Sequence, residues 1–100
     1  MDQYSAHLDR GWELVSQGHL QDARISAHNA LDLRQDAPEA HNLLGYIHVG
    51  LGLEQEAMEH YRQALEQDER FVDAILNTAE LLAYSRQEYE AALEMTNEAL

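Results

Sequence analysis

The sequence contains no cysteine, no lysine and a single proline. Without cysteine it can form no disulfide framework, no cysteine-ligated zinc site and no cysteine nucleophile. Five glycines and one proline among 100 residues exclude collagen-like and Pro/Gly-rich disordered classes. Apolar runs are only a few residues long, so no transmembrane helix is predicted. What remains is one small, acidic domain whose 45% hydrophobic residues can build a core.

Acidic residues dominate the charge. The net charge is −13, which argues against binding nucleic acid or an anionic membrane. All six basic residues are arginines. A lysine-free acidic surface is typical of proteins from a salt-rich cytoplasm, and it also follows from the codons of a GC-rich genome; both interpretations stay open. Met1 is followed by Asp2 rather than by a basic segment and an apolar run, so we expect a cytoplasmic protein without a secretory signal.

The sequence repeats itself with a period of 34 residues. Shifting it by 34 places Gly11 on Gly45 and Gly18 on Gly52. The further coincidences are Ala23 with Ala57, Ala30 with Ala64, and Leu31 with Leu65. One extra residue in the next turn continues this series to Ala92, Ala99 and Leu100. We therefore predict a single domain of three repeated units. The units span residues 4–37, 38–71 and 72–100, and the last stops within its final helix.

Each unit has the pattern helix, short turn, helix. Apolar residues recur on one helical face, and Gly18 and Gly52 can adopt the left-handed conformation that ends a helix. No segment alternates strictly between apolar and polar residues, so the fold class is all-α. The predicted helices are residues 5–17, 20–34, 38–51, 54–67, 72–84 and 88–100.

Small and aromatic residues stand at matching places in all three units. The middle unit has Leu44-Gly45, Gly52, Ala57, Tyr61 and Ala64-Leu65. The last has Ala79, Tyr89, Ala92 and Ala99-Leu100, and the first has Gly11, Gly18, Ala23, Ala27 and Ala30-Leu31. This pattern resembles the tetratricopeptide repeat. Departures from it are His7 and His41 at a position where the family prefers tryptophan, and Arg10 where it prefers leucine.

The resemblance implies a right-handed α-α superhelix of stacked helical hairpins whose first helices line a concave surface. Such modules bind a peptide or helix of another protein and have no catalysis of their own. Matching the groove-lining positions of the family implies a set of partner-binding residues, in which Trp12 and Tyr46 are the aromatic anchors. The set is Leu8, Trp12, Val15, Asn42, Leu43, Tyr46, Val49, Asp73, Leu76, Asn77, Glu80 and Tyr84.

Some members of the family clamp acidic C-terminal tails with basic side chains. The matching positions here are Leu8, Trp12, Leu43, Asp73 and Asn77, and none carries a positive charge. A carboxylate clamp is therefore not predicted. Apolar anchors with an acidic rim of Glu39, Asp73 and Glu80 favour a protein or peptide with apolar and basic residues, a basic amphipathic helix being one such ligand.

Residues for catalysis or for a cofactor form no recognisable motif. GxSxG, a phosphate loop and HExxH are all absent. His41 and His48 are about 10 Å apart along a helix, and Glu56 with His60 supplies only two metal ligands. We predict no catalytic residue, no metal site and no cofactor. If His41 and His48 are buried, low pH should charge them and loosen the array.

A structural role is the competing class of function, either as a self-assembly unit or as a fragment of a longer scaffold. Members of the family usually end in an extra helix that covers the last hairpin, and we expect the third unit to lack one. We expect helix 88–100 to pack against helix 72–84, and its uncovered face either to fray or to form a weak homodimer. The packing residues expected are Tyr89, Ala92, Leu93, Thr96 and Ala99.

Overall fold

Within the residues that the structure describes, the chain folds into five helices and no strand. The structure is a computed structural model that describes residues 2–99, and for Tyr89 and residues 92–99 it describes the backbone alone. The helices are α1 (Gln3–Ser16), α2 (Leu20–Leu33), α3 (Pro38–Gly50), α4 (Glu54–Gln67) and α5 (Val72–Ala99). They confirm the all-α fold class and the first four predicted helices, whose ends differ by at most two residues.

The first four helices form two hairpins with equivalent turns. Gly18 has φ +81° and Gly52 has φ +78°, a region that glycine enters without steric cost. The amide of His19 donates to the carbonyl oxygen of Leu14 (2.9 Å), and Leu53 donates to His48 in the same way (2.8 Å). These hydrogen bonds close a Schellman motif at the end of α1 and of α3. The predicted turns are therefore confirmed.

The core lies between the hairpins and inside each of them. Leu43, Leu44 and Ile47 of α3 pack against Leu14 of α1 and against the alanines of α2. Small residues allow the helices to approach closely. A Cβ on Gly45 would collide with the ring of Tyr61, and one on Gly11 would lie 2.7 Å from Cδ2 of Leu43. The glycines that recur on the first helices are thus required by packing.

The third unit differs from the prediction. A turn between helices 72–84 and 88–100 was expected, but α5 is continuous from Val72 to Ala99. The 34-residue shift that relates Gly18 to Gly52 leads to Arg86, and a left-handed conformation costs a residue other than glycine about 1–2 kcal/mol. Arg86 instead donates from Nε to Oε1 of Glu90 (3.1 Å), one helical turn further on.

The predicted packing of helix 88–100 cannot occur against the same chain's helix 72–84, because both are parts of α5. The side chains that were expected to make those contacts lie outside the described residues. They are Tyr89, Ala92, Leu93, Thr96 and Ala99. The boundaries of the three units stay a prediction.

The molecule is elongated, with principal dimensions of 59 × 29 × 17 Å. The first half of α5 packs on α4 and α3, and the helix then continues beyond them. None of the described helices is both long enough and apolar enough to cross a membrane.

Candidate partner-binding groove

Three neighbouring cavities follow one side of the molecule along α1, α3 and α5. Their volumes are about 230, 260 and 230 Å³. The first two share Trp12, Asn42 and Asp73, and the last two share Tyr46, Asn77 and Glu80. We call this continuous depression the groove. The remaining residues that line it are Leu8, Asp9, Glu39, Val49, Tyr61, Phe71, Leu76, Leu81 and Tyr84.

Two aromatic side chains meet in the groove where α1 faces α3. The ring centroids of Trp12 and Tyr46 lie 5.3 Å apart at an interplanar angle of 60°, an edge-to-face arrangement. The two residues occupy equivalent helical positions one repeat apart. Trp12 is 38% exposed and Tyr46 is 43% exposed. Each ring therefore packs against the other with one part and leaves the other part open to solvent.

The cavity between α3 and α5 is the most apolar part of the groove. Tyr46 and Val49 of α3 form one wall, and Leu81 and Tyr84 of α5 form the other. Tyr61 of α4 lies beneath them and is completely buried, and this burial raises the pKa of its hydroxyl. The volume of about 230 Å³ is enough for one large apolar side chain.

A hydrogen bond between two amides joins α3 to α5 at the bottom of the groove. Nδ2 of Asn77 donates to Oδ1 of Asn42 across 3.0 Å. Asn42 is buried and Asn77 is half-buried. The pair links α5 to α3 across the groove.

The charged side chains that line the groove are all acidic. They are Asp9, Glu39, Asp73 and Glu80. Oε2 of Glu39 accepts a hydrogen bond from the hydroxyl of Tyr4 (3.0 Å). Burial, together with this carboxylate, raises the pKa of Tyr4. The groove thus has an apolar interior and an anionic border.

Ten of the twelve residues predicted from the sequence line the groove, and Leu43 and Val15 do not. Leu43 is completely buried in the core between α1, α2 and α3, so the prediction that it meets a ligand is wrong. Its side chain packs against Leu14 of α1 and the alanines of α2 instead. Val15 is half-buried against the same core and lines none of the three cavities. As ligand contacts, the other residues stay predictions.

Four residues of the groove were not predicted from the sequence: Asp9, Tyr61, Phe71 and Leu81. The helical spacing of Tyr61 and Leu81 predicts core residues, and both are buried in one cluster. They also line the groove because the groove lies directly over this part of the core. Phe71 directly precedes α5. An aromatic residue immediately before a helix that lines a groove is a signal that could have identified it.

A cluster of histidines lies between α2, α3 and α4, away from the groove. The Nδ1 atoms of His41 and His60 are 3.3 Å apart, and the rings of His48 and His60 stack with centroids 5.0 Å apart. Nδ1 of His48 donates to the carbonyl oxygen of Leu44 (2.7 Å), and its Nε2 lies 3.4 Å from a carboxylate oxygen of Glu56.

Burial changes the titration of this cluster. It lowers the pKa of His60 to about 4, with a further contribution from the charges of His48, His41 and His28. Burial also lowers the pKa of His41 and of His28. Among the described residues, no group of three or more His, Asp or Glu side chains has a geometry that could hold a metal ion. The cluster is a packed contact between helices that favours uncharged imidazoles at His41 and His60.

Comparison with known proteins agrees with this architecture. A family model described as tetratricopeptide repeat matches residues 8–70, which is more than half of the chain. The match begins in α1, ends three residues after α4 and contains both hairpins. A comparison with curated proteins gave no match.

Proposed function

The chain belongs to the tetratricopeptide repeat family, and from this premise we propose that it is a non-catalytic module that binds a peptide or helix of a partner protein in its groove. The exposed pair of Trp12 and Tyr46 supports this most directly. Aromatic side chains that are partly exposed in a concave surface are typical binding anchors, because they bury a large area with few rotatable bonds.

The chemistry of the groove favours a partner with one apolar anchor and adjacent positive charge. The cavity between α3 and α5 accepts the apolar side chain. Glu80, which lines two of the three cavities, lies within reach of a basic residue beside that anchor. Glu39 and Asp73 extend the negative border toward α1. An amphipathic helix with Lys or Arg next to its apolar face combines both features, and a nucleic acid, with its negative phosphates, combines neither.

Selection from a random peptide library displayed on phage tests this proposal. Trp12 is the single tryptophan, so its fluorescence reports directly on the groove. We expect enriched peptides to carry an aromatic or aliphatic residue beside Lys or Arg, and to change the emission of Trp12. Trp12→Ala should lose these peptides, whereas Ile25→Ala, at an exposed residue of α2 outside the groove, should retain them. Peptides that bind both variants equally would contradict groove binding.

A structural role is the second candidate function, in which the chain is a self-assembly unit or part of a longer scaffold. The observation that favours it is the exposed apolar surface of α5. Val72, Ile75, Leu76 and Leu82 are all exposed on this one helix. An apolar surface of this kind is typical of a protein contact.

A further inference from the structure

The repeat register assigns a role to each face of α5. Ala40, Leu44 and Ile47 of α3 face the preceding hairpin and are completely buried. The residues 34 positions later are Ala74, Thr78 and Leu81. Ala74 and Leu81 are buried, and Thr78 is half-buried with its hydroxyl donating to the carbonyl of Ala74. This face of α5 is therefore covered, as the equivalent face of α3 is.

A second face of α5 is open to solvent, whereas the equivalent face of α3 is covered by α4. His41, Gly45 and His48 of α3 face α4, where they meet His60, Tyr61 and Glu56. His41 is 7% and His48 is 4% exposed. The equivalent residues of α5 are Ile75, Ala79 and Leu82, which we call the α5 stripe.

The α5 stripe is apolar and open to solvent. Ile75 is 44% exposed, Leu82 is 55% exposed, and Ala79 between them is exposed as well. It lies on a different side of α5 from the groove residues Asn77, Glu80 and Tyr84, because the helical spacing separates the two sets. A ligand in the groove would leave it uncovered.

The segment with the right sequence to cover this stripe is residues 88–100 of the chain itself. Ala92, Ala99 and Leu100 repeat Ala57, Ala64 and Leu65 of the helix that covers α3. In the structure residues 88–99 of this segment continue straight on from the stripe within one helix. Residue 92 is about 20 Å along the axis from Ala79 at the rise of an α-helix, so one chain cannot cover its own stripe.

We propose that two chains exchange these segments, so that residues 88–99 of each copy cover the α5 stripe of the other. Each copy then completes the third hairpin of its partner across a two-fold axis. Exchange of an identical element is a route to a dimer that needs no new interface chemistry. The proposal goes beyond the groove and extends the self-assembly candidate.

The hairpin contacts already present fix the register of the exchanged pair. The contact of His41 with His60 corresponds to Ile75 against Met95 of the second copy. The contact of His48 with Glu56 corresponds to Leu82 against Ala91 of the second copy. Both corresponding pairs are apolar. The midpoint in sequence between the two residues of each pair lies within about one residue of Arg86, so the two-fold axis passes close to Arg86. The two α5 helices then run antiparallel, as α3 and α4 do.

The absence of cysteine allows a direct test in the full chain. Leu82→Cys combined with Ala91→Cys places one thiol on each side of the proposed contact. Within one straight helix the two positions are about 13 Å apart along the axis, too far for a disulfide. Under mild oxidation we expect a covalent dimer on a non-reducing gel. A monomer with an internal disulfide would show that the segment folds back on its own chain and would overturn the proposal.

Sedimentation equilibrium of the unmodified chain gives the second measurement. We expect reversible dimerisation between low and several hundred micromolar concentration. Arg86→Gly restores the glycine of the other two turns and should weaken dimerisation at least tenfold, since each segment can then cover its own stripe. Arg86→Ala keeps the helix continuous and should retain the dimer. A wild-type chain that stays monomeric throughout, or equal weakening by both substitutions, would contradict segment exchange.

Discussion

The α3–α4 hairpin and α5 start from the same repeat pattern and form different structures. At the turn of the hairpin, Gly52 adopts φ +78° and the chain reverses. Arg86 occupies the corresponding place in the third unit, and the helix continues through it. The side chain of Arg86 forms an ion pair with Glu90 one turn later. The comparison shows that a repeat pattern on two helices does not by itself form a hairpin. A residue that tolerates the left-handed conformation must stand between them.

The face of α3 that packs against α4 also differs from the equivalent face of α5. On α3 it consists of His41, Gly45 and His48, which fit closely against α4. On α5 it consists of Ile75, Ala79 and Leu82, which are open to solvent. Substitutions at matching positions should therefore have large effects in the hairpin and small ones on α5.

The largest expected difference is between Gly45→Leu and Ala79→Leu. A leucine at position 45 collides with the ring of Tyr61, which is completely buried beneath Tyr46 and Val49. We expect the free energy of unfolding to fall by about 3 kcal/mol. Ala79→Leu changes an exposed helix residue and should stay within about 0.5 kcal/mol. Urea unfolding in dilute solution, followed by circular dichroism, measures both. Equal effects would mean that the two faces are equally covered.

Binding to the groove should depend more on its α1–α3 end than on α5. Trp12 and Tyr46 contact each other and are held by packed helices. Trp12→Ala should weaken binding of a library-selected peptide by about 2 kcal/mol. Tyr84→Ala removes a side chain that is exposed on α5 and should cost less than half of that. Fluorescence anisotropy of the labelled peptide gives both affinities. A larger loss for Tyr84→Ala would mean that the α5 wall contributes more to binding than the aromatic pair does.

Only the histidine-containing face should make stability depend on mildly acidic pH. The pKa of His60 is lowered to about 4 from the usual value of 6.5, so the unfolded chain binds more protons than the folded chain between these values. Stability is therefore complete above about pH 6.5 and is lost as the pH falls toward 4. Because His60 is only partly buried, solvent screening limits the loss to about 1–2 kcal/mol.

Thermal unfolding between pH 7.5 and pH 4.5 tests this pH dependence with one substitution and one control. His28, His41, His48, Glu56 and Glu59 are the titratable groups around His60 on the three helices. His60→Leu should flatten the dependence, and His19→Leu, outside the cluster, should leave it unchanged. If the stability of the His60→Leu variant still falls with pH, the pH dependence comes from the other titratable groups.

The smallest expected effect concerns the turns themselves. Gly52→Ala forces an alanine into φ +78°, which should cost about 1 kcal/mol. Arg86→Ala replaces one good helix former by another and should change stability by only a few tenths of a kcal/mol. Chemical unfolding of the two variants distinguishes them. A cost for Arg86→Ala equal to that for Gly52→Ala would mean that the ion pair of Arg86 with Glu90 stabilises the helix far more than an exposed pair normally does.

Much of the groove was predictable because the repeat places equivalent residues on equivalent helices. Trp12 and Tyr46 were found in this way, and their partial exposure agrees with that placement. The error at Leu43 has a physical cause. α3 is packed on both sides, so most of its faces are buried, and the register alone does not separate a residue on the groove wall from one just below it.

The sequence by itself determined the all-α class, the 34-residue period, the positions of four helices and the two glycine turns. Each of these depends on local properties, namely helical periodicity and the conformational freedom of glycine. Only the tertiary structure decided that α5 does not reverse, that four histidines of three helices lie together, and that Ile75 and Leu82 are uncovered. The last two outcomes depend on contacts between residues far apart in the chain, whereas at Arg86 a difference in local free energy selects the continuous helix.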